Sequence, residues 1–323
     1  MTTLPAPVDP GPAPGTTSGT RELLQQADGR RRLVDRTMRV LVTAAFLVAL
    51  VPLLSVSWTV VGNGVERLSP YFLSVSMRGV FGGMDAGGIY HAILGTVLIT
   101  LVATLISVPI GLMTAIYLVE YGRGPLARAV TFFVDVMTGI PSIVAGLFAY
   151  ALFAVFLGPG VRFGVVGSVA LSVLMIPVVV RSSEEMLRLV PNELREAAYA
   201  LGVPKWLTIL RVVLRTAVAG IGTGVMLAIA RVIGETAPLL VTVGVIDSIN
   251  GNVFEGRMMT LPVYVFRQFS QGLVPCADGD AACIPTINLD RAWAAALTLI
   301  LIVMLLNLVA RMIAKFFAPR SGH

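Results

Sequence analysis

Residues 195–215 read REAAYALGVPKWLTILRVVLR, a charged stretch between long apolar runs. Asn192 can cap a helix there, Glu196 places negative charge in its first turn, and Gly202 followed by Pro204 ends it. Four residues share the i, i+3, i+4, i+7 spacing of one apolar helical face: Leu194, Ala197, Ala198 and Leu201. Because a helix of about ten residues is marginal in water, this face is expected to dock, either on another polypeptide or back on its own membrane domain and lipid.

The composition indicates that lipid is the main solvent of the chain. The 323 residues are 56% hydrophobic and only 13% charged, with a mean hydropathy of +0.86. A soluble domain needs far more charge on its surface. The net charge of +6 does not favour a nucleic-acid partner, because only two of the 24 cations are lysines and the cations are dispersed between apolar runs.

Six apolar stretches are long enough to cross a bilayer, which takes about 20 helical residues. They cover residues 40–61, 89–119, 129–157, 163–180, 216–246 and 292–310. The prediction is an all-α polytopic membrane protein with six transmembrane helices. Its divisions are a flexible tail (1–36), an anchor helix (37–61), an outer loop (62–88), a core (89–317) with a central loop (181–215) and a second outer loop (247–291), and a short tail (318–323).

Arginine and lysine predict the orientation, because these residues accumulate on the cytoplasmic side of a membrane. Residues 1–39, 120–128, 181–215 and 311–323 together hold 17 of them, whereas the opposite segments (62–88, 158–162 and 247–291) hold six. Both termini are therefore expected in the cytoplasm. Cys276 and Cys283, in CADGDAAC, are then expected outside, where a disulfide persists. Separate thiols are the alternative, and the lack of a histidine nearby in the sequence argues against a metal site.

Two charges fall inside the fifth apolar stretch, GVMLAIARVIGETAPLLVTVG (224–244). Arg231 and Glu235 are four residues apart, so they share a helical face and could form an ion pair, and Pro238 should kink the helix beside them. Charge at membrane depth is costly and usually lines a cavity or finds a partner. We therefore favour a pathway role over a purely structural ion pair. The planar guanidinium of Arg231 suits an oxyanion, since it can donate two hydrogen bonds to one phosphate.

Other polar residues lie within or near the ends of the spans. Arg181 closes the fourth span and is either a positive-inside anchor or part of the pathway. Thr138 and Ser142 offer hydroxyls beside Pro141, which should kink the third span and free the carbonyl of Met137. The small residues there can equally serve helix packing.

Three further features have modest expected roles. Asp135 is expected to cap a helix, and His91 to be a polar residue near the membrane interface. The segment MTLPVYVFRQFSQG (259–272) mixes apolar and polar residues, so it could lie flat on the outer surface, where it would contact an external protein or only cover the ends of the spans.

EAAYALG, with Glu196, Ala197, Ala198 and Gly202 in register, resembles the EAA loop of ABC-importer permeases. In that family the loop forms a coupling helix that sits in a cleft of the ATPase subunit. Arg215 stands where the family pattern usually has proline. The chain lacks the GxxxxGK[ST] sequence of a P-loop, so ATP and Mg²⁺ are expected on a separate ATPase, with no cofactor in this chain.

MLAIARVIGETAPLL (226–240) and DVMTGIPSIVAGLF (135–148) are similar to the PstA-type permease of phosphate ABC importers, and the similarity spans roughly residues 90–270. The resemblance implies a MetI-like, type I permease of the plasma (inner) membrane that carries out no catalysis. It also implies a heterodimer with a PstC-type permease, two PstB-type ATPase subunits and an external PstS-type phosphate-binding protein. Family arginines associated with phosphate passage correspond to Arg181 and Arg231.

Two other classes of protein remain as alternatives to this interpretation. A secondary transporter would use Glu235 to relay a proton and would need no ATPase, but such proteins often show an internal repeat and none is convincing here. An intramembrane hydrolase would need a nucleophile and a base within the spans, and no Ser–His or paired-Asp arrangement is evident.

Overall fold

The computed structural model describes residues 29–277 and 282–317. The chain divides into two units, residues 1–58 and 59–323. The described ranges contain twelve α-helices and two π-helical turns. These are α1 (Gly29–Val65), α2 (Pro70–Ser74), α3 (Tyr90–Ile116) with a π-helical turn (Tyr117–Tyr121), α4 (Pro125–Thr138), α5 (Ser142–Leu157), α6 (Gly164–Arg188), α7 (Asn192–Ala200), α8 (Lys205–Thr208) with a second π-helical turn (Ile209–Val213), α9 (Leu214–Ile233), α10 (Ala237–Thr242), α11 (Leu261–Gln271) and α12 (Ile287–Phe317).

The predicted tails fall largely outside the described residues. Residues 1–28 and 318–323 lie outside them, as do residues 278–281 of the second outer loop. α1 begins at Gly29, earlier than the predicted end of the first tail at residue 36. The arginine- and leucine-containing stretch after Gly29 explains the early start, because both residue types are good helix formers.

Within the described ranges, five helices are long and apolar enough to cross a membrane by length and composition, and a bent pair provides up to one more. The five cover Arg31–Val65, Tyr90–Tyr121, Gly164–Arg188, Lys205–Ile233 and Ile287–Met312. This helical architecture with up to six crossings confirms the predicted fold class, an all-α polytopic membrane protein. Two of the six predicted spans nevertheless differ from the structure in form.

The third predicted span (129–157) is two helices rather than one kinked helix. The axes of α4 and α5 differ by 109° across the break between them. Gly139 caps the end of α4, and Pro141 cannot continue the hydrogen-bond ladder because it has no N–H. The carbonyl of Met137 is not freed as expected, since it accepts a hydrogen bond of 3.3 Å from the N–H of Ile140.

The fifth predicted span (216–246) is also interrupted. α9 ends before Gly234, and Pro238 lies in the first turn of α10. Proline fits the first turn of a helix, where an N–H has no intrahelical acceptor. Pro238 therefore lies at the start of a new helix instead of kinking the old one.

The core of the second unit is organised around α6, which packs against α3, α5, α9 and α10. Two buried serines of α6 donate hydrogen bonds to carbonyls of α3: Ser168 Oγ to Ile99 O at 3.0 Å and Ser172 Oγ to Ala103 O at 3.4 Å. Hydrogen bonds between helices stabilise packing where lipid offers no polar partner. α3 and α6 thus form one closely bonded pair.

The outer segment 259–272 does not lie flat on the surface. Its helix, α11, buries Leu261 and Tyr264 completely and packs against α3 and α12. His91, predicted to be interfacial, is only 2% exposed, and its ring meets that of Tyr264 edge-on with centroids 5.7 Å apart. The alternation of apolar and polar residues in this segment therefore reflects a helix with one side in the core.

Cys276 and Cys283 are joined by a disulfide, with their Cα atoms 5.8 Å apart. The same loop pairs with the first outer loop. Met84 and Cys283 form an isolated antiparallel bridge, and the N–H of Ile284 donates to Gly83 O at 2.9 Å. The disulfide thus fixes the part of the second outer loop that contacts the first.

Candidate functional site

Helix α7, in the central loop, presents an apolar face that the chain leaves mostly uncovered. Ala198 is buried, but Leu194 is 42% and Leu201 83% exposed, and Ala197 and Glu196 are exposed as well. Of the two expected docking modes, packing against the same chain accounts for Ala198 alone. A short helix with an uncovered apolar face is the form expected of a docking element for another polypeptide.

Both ends of α7 are set by backbone geometry. Gly202 follows the helix with φ +77°, a left-handed conformation that glycine adopts without steric cost, and Pro204 immediately precedes α8. Asn192 does not cap α7 as predicted. Pro191 holds the cap position, and Asn192 Oδ1 instead accepts a hydrogen bond of 3.2 Å from Arg195.

An ion pair that no sequence motif indicates fixes α7 to the rest of the chain. Arg195 donates from Nε and Nη2 to Glu120 Oε1 at 3.0 and 2.9 Å. It also donates to the carbonyls of Val190 at 2.6 Å and Leu187 at 3.0 Å. The side chains of Arg195 and Glu120 are only 13% and 6% exposed. Such a desolvated pair holds its geometry, because either charge alone would be buried without compensation.

Lys205 strengthens the same attachment from the other side of the loop. Its Nζ donates to Glu120 O at 2.5 Å and lies 4.4 Å from the centre of the Tyr121 ring, a cation–π distance. Glu120 and Tyr121 belong to the first π-helical turn, and the second one follows α8 directly. π-Helical turns are rare and occur frequently at functional sites. We call Glu120, Arg195 and Lys205 the loop clamp.

Arg231 lies on the uncovered face of α9. The opposite face of this helix is buried at regular helical spacing, at Ala217, Ile221, Gly224, Ala228 and Val232. Thr223, Leu227 and Arg231 follow one another at i, i+4, i+8 on the exposed side. A charged residue on an otherwise apolar, uncovered helix face requires water, an ion or another subunit beside it.

The ion pair that Arg231 and Glu235 could form, the less favoured of the two interpretations, is absent from the described residues. Because α9 ends at Ile233, Glu235 lies outside the helix, and the four-residue spacing no longer places the two side chains on one face. In the described part of the chain, neither side chain has a hydrogen-bond or ion-pair partner. The interpretation of the pair as a structural contact is therefore wrong, and Arg231 keeps an uncompensated positive charge.

Arg181 has a different environment, because it pairs with two carboxylates. It contacts Asp135 of α4 and Glu184 at 2.8 Å, and Glu184 also accepts from Arg188 at 2.5 Å. Asp135 therefore does not cap a helix as predicted but links α4 to α6. The network contains two positive and two negative groups, so Arg181 offers no surplus charge unless an anion displaces Asp135, whose side chain is 59% exposed.

The two predicted hydroxyl groups lie on either side of the break between α4 and α5. Thr138 is exposed and its Oγ1 donates to Val134 O at 2.9 Å, whereas Ser142 is the first residue of α5. One turn later, Gly146 packs directly on Pro238 of α10, where a Cβ would lie 2.6 Å from the proline Cα. The start of α5 and the segment joining α9 to α10 are thereby held close to each other.

This arrangement limits what the site can bind. Within residues 29–277 and 282–317, no three His, Cys, Asp or Glu side chains converge in a way that could hold a metal ion. The uncovered apolar face of α7 can take a protein partner, and the unpaired guanidinium of Arg231 can take an anion.

Comparison with known proteins identifies relatives over most of the chain. Residues 107–323 match the family described as binding-protein-dependent transport system inner membrane component. The chain is 48% identical over 295 residues to the phosphate transport system permease protein PstA 1 of Mycobacterium tuberculosis (strain CDC 1551 / Oshkosh), covering 90% of this chain and 91% of that one. It is 38% identical over 294 residues to PstA of Pasteurella multocida (strain Pm70), covering 90% and 97%.

Solved structures share the fold at much lower identity. A chain of the inward-facing MetNI methionine ABC transporter superposes with a TM-score of 0.53 at 17% identity, covering 78% of this chain and 100% of that one. A chain of a bacterial alginate ABC transporter superposes with a TM-score of 0.58 at 13% identity, covering 90% and 97%. The polytopic helical fold is thus that of type I ABC-importer permeases.

Proposed function

This chain belongs to the family of binding-protein-dependent transport system inner membrane components, and on that premise we propose that it forms half of the phosphate pathway of an ATP-driven importer. Members of this family are multi-pass permease subunits of the inner membrane rather than enzymes. Phosphate as the substrate is supported by relatives named as PstA phosphate permeases at 38–48% identity over about nine tenths of the chain. Both termini are proposed to face the cytoplasm.

The observation that carries the proposal is the position of Arg231. Its guanidinium is exposed on the uncovered face of α9 and lacks an acidic partner among the described residues. Such a group attracts an oxyanion and can donate two hydrogen bonds to it. Glu235 lies four residues on, is half-buried, and also has no side-chain partner in the part of the chain that the structure describes. It can accept a hydrogen bond from a protonated phosphate, and its charge limits how strongly the site holds a fully ionised anion.

Three kinds of partner complete the proposed importer. A PstC-type permease covers the exposed face of α9 and supplies the other half of the pathway. Two PstB-type ATPase subunits bind ATP and Mg²⁺, and one of them receives the uncovered face of α7, including Glu196, Ala197 and the turn at Gly202. A PstS-type protein delivers phosphate from outside. The proton-coupled secondary transporter is not favoured, because α7 offers a docking face that such a transporter would not need.

Arg181, Thr138 and Ser142 are proposed to border the pathway in secondary roles. Arg181 is already paired with Asp135 and Glu184, so an anion would reach it only by competing with Asp135. We therefore expect substitution of Arg231 to reduce transport more than substitution of Arg181 does.

The test is phosphate uptake by cells that carry Arg231→Gln, together with a pull-down of the ATPase subunit. Arg215→Gln is the matched control, because Arg215 is an exposed cation on the same helix without a partner in the described ranges. We expect uptake to be lost in Arg231→Gln with the complex intact and to persist in the control. Normal uptake in Arg231→Gln would refute its pathway role. Uptake that survives removal of the ATPase but fails in Glu235→Gln would favour the proton-coupled alternative.

A further inference from the structure

A cavity of about 500 Å³ is lined on one side by the first outer loop, at Met77 and residues 80–82. It is bordered by α11, the start of α12 and the segment that follows α10. Six polar or charged side chains line it: Asp247, Arg267, Gln268, Gln271, Asn288 and Arg291. Cavities of this size with a few converging polar groups are typical of small-ligand sites.

Several buried polar groups at and beside this cavity have no hydrogen-bond partner among the described residues. They are Gln268 Oε1, Arg291 Nε, the hydroxyl of Tyr264 and both ring nitrogens of His91. All four residues are at most 2% exposed. An unsatisfied polar group inside a protein costs about 1–3 kcal/mol, and most buried polar groups do have a partner. Several such groups in one place indicate that the region receives polar atoms from outside the chain.

The unsatisfied groups include both donors and acceptors. Arg291 Nε–H donates and Gln268 Oε1 accepts, whereas the Tyr264 hydroxyl and the neutral His91 ring can each do both. Burial raises the pKa of Tyr264 well above its usual range, so its hydroxyl keeps its proton. The two unsatisfied atoms on described residues that line the cavity are the donor Arg291 Nε–H and the acceptor Gln268 Oε1. A protonated oxyanion would satisfy both, since it carries acceptor oxygens and a hydroxyl donor, whereas a metal cation would not.

The charges around the cavity favour an anion as well. Arg267 donates to both carboxylate oxygens of Asp247, at 2.6 and 3.4 Å, so these two charges offset each other. Arg291 donates only to neutral acceptors, among them the carbonyls of Met84 at 2.7 Å and Ala86 at 2.8 Å. Arg291 therefore forms no ion pair among the described residues, although Asp85 and Asp290 lie within electrostatic range of it. Asn288 Oδ1 accepts from Arg291 at 3.4 Å and helps to hold the guanidinium beside the cavity.

We propose that this cavity is an outer binding site for a small oxyanion, held by Arg267, Arg291, Gln268 and Asn288, at a distance from Arg231. The identification of the oxyanion as inorganic phosphate rests on the proposed function, but the preference for an oxyanion rests on the cavity alone. The site gives the importer a place where the anion resides on the outer side before it reaches the charge on α9.

The experiment measures equilibrium binding of radiolabelled inorganic phosphate to the purified full chain in lipid nanodiscs, with sulfate as a competitor. Arg267→Gln is the principal variant. Gln268→Met is the second, since it keeps the volume of a buried side chain while removing its amide. Arg78→Gln, an exposed cation of the first outer loop that does not line the cavity, is the matched control. Thermal unfolding of each variant shows whether it is folded.

We expect saturable phosphate binding that weakens about tenfold or more in Arg267→Gln or Gln268→Met, since a charged or buried hydrogen bond is removed. Binding should remain in Arg78→Gln. Loss in Arg231→Gln with retention in both cavity variants would overturn the proposal, as would no saturable binding by the unmodified chain. Displacement by sulfate at equal concentration would support an oxyanion site but overturn its assignment to phosphate.

The phosphate-binding measurement is independent of the uptake assay, because it is made on the isolated chain. If cavity binding fails while uptake still depends on Arg231, only the outer site is refuted. If cavity binding stands while uptake is normal in Arg231→Gln, only the pathway proposal is refuted.

Discussion

Replacing Glu120 with alanine should release α7 from the rest of the chain without unfolding it. Arg195 would lose the carboxylate that receives two of its hydrogen bonds while keeping the carbonyls of Val190 and Leu187. Removing one partner of a buried ion pair costs about 3–5 kcal/mol. We take the lower end, about 3 kcal/mol, because Arg195 retains those carbonyls. Lys205 should stay attached, since its acceptor is the backbone carbonyl of Glu120.

The assay is amide hydrogen exchange of the purified chain in nanodiscs, followed separately for α7 and α6. A loss of about 3 kcal/mol in local stability corresponds to a rise of roughly 100-fold in the exchange of α7 amides. The amides of α6 should change little. Glu185→Ala is the control, because this exposed carboxylate on α6 has no side-chain partner in the described ranges. Equal exchange of α7 in the two variants, or a change below about threefold in Glu120→Ala, would refute the clamp.

A charge exchange tests which part of the contact matters. In the double variant Glu120→Arg with Arg195→Glu, the opposite charges are restored, but a glutamate cannot donate to the carbonyls of Val190 and Leu187. We therefore expect only partial recovery of α7 protection. Full recovery would mean that charge alone holds the helix and that the carbonyl contacts contribute little.

Three other predictions concern glycines and the disulfide. Gly202→Ala should weaken the end of α7 by about 1–2 kcal/mol, because its φ is +77°, and Gly202→Asn should cost less; equal exchange of the last α7 amides in both would contradict this. Gly146→Ala should lower thermal stability by about 1–3 kcal/mol, since its Cβ would meet the backbone of α10, whereas Gly222→Ala, with open space around it, should be neutral or stabilising. Replacing Cys276 and Cys283 by serine should cost about 2–3 kcal/mol by loop-closure entropy; alkylation of either sulfur before reduction would show that the disulfide is not formed.

The positions of the spans were predictable because lipid demands long apolar helices, whatever the partners of each helix. The interruptions of the third and fifth predicted spans were not predictable. Pro141 and Pro238 both read as kinks within a helix. In the structure Pro141 lies at a break between helices, and Pro238 is in the first turn of a new helix. Periodicity cannot distinguish these outcomes, because a proline is equally compatible with a kinked helix and with a helix start.

The site was predictable where it depends on local sequence and not where it depends on distant pairing. The turn at Gly202 and the apolar spacing of α7 are local signals in the sequence, and the structure contains both the turn and the helix. Glu120 and Arg195 are 75 positions apart, and neither stands out as charge inside an apolar run. The possible ion pair of Arg231 with Glu235 is not formed for a related reason, since spacing along a helix predicts a contact only if the helix continues through both residues.

The loop clamp and the outer cavity lie near opposite ends of one helix, and this limits how the two can influence each other. α3 has 27 residues in its α-helical part, so it is about 40 Å long, from His91 near the cavity to the π-helical turn that contains Glu120. Ser168 and Ser172 bond it to α6, so a displacement of α7 that reaches Glu120 acts on α3 and α6 together. The breaks at Gly139–Pro141 and Gly234–Thr236 lie outside this pair. They are the places where backbone rotation changes the surroundings of Arg231 at the least cost in hydrogen bonds, because no continuous helical ladder crosses them.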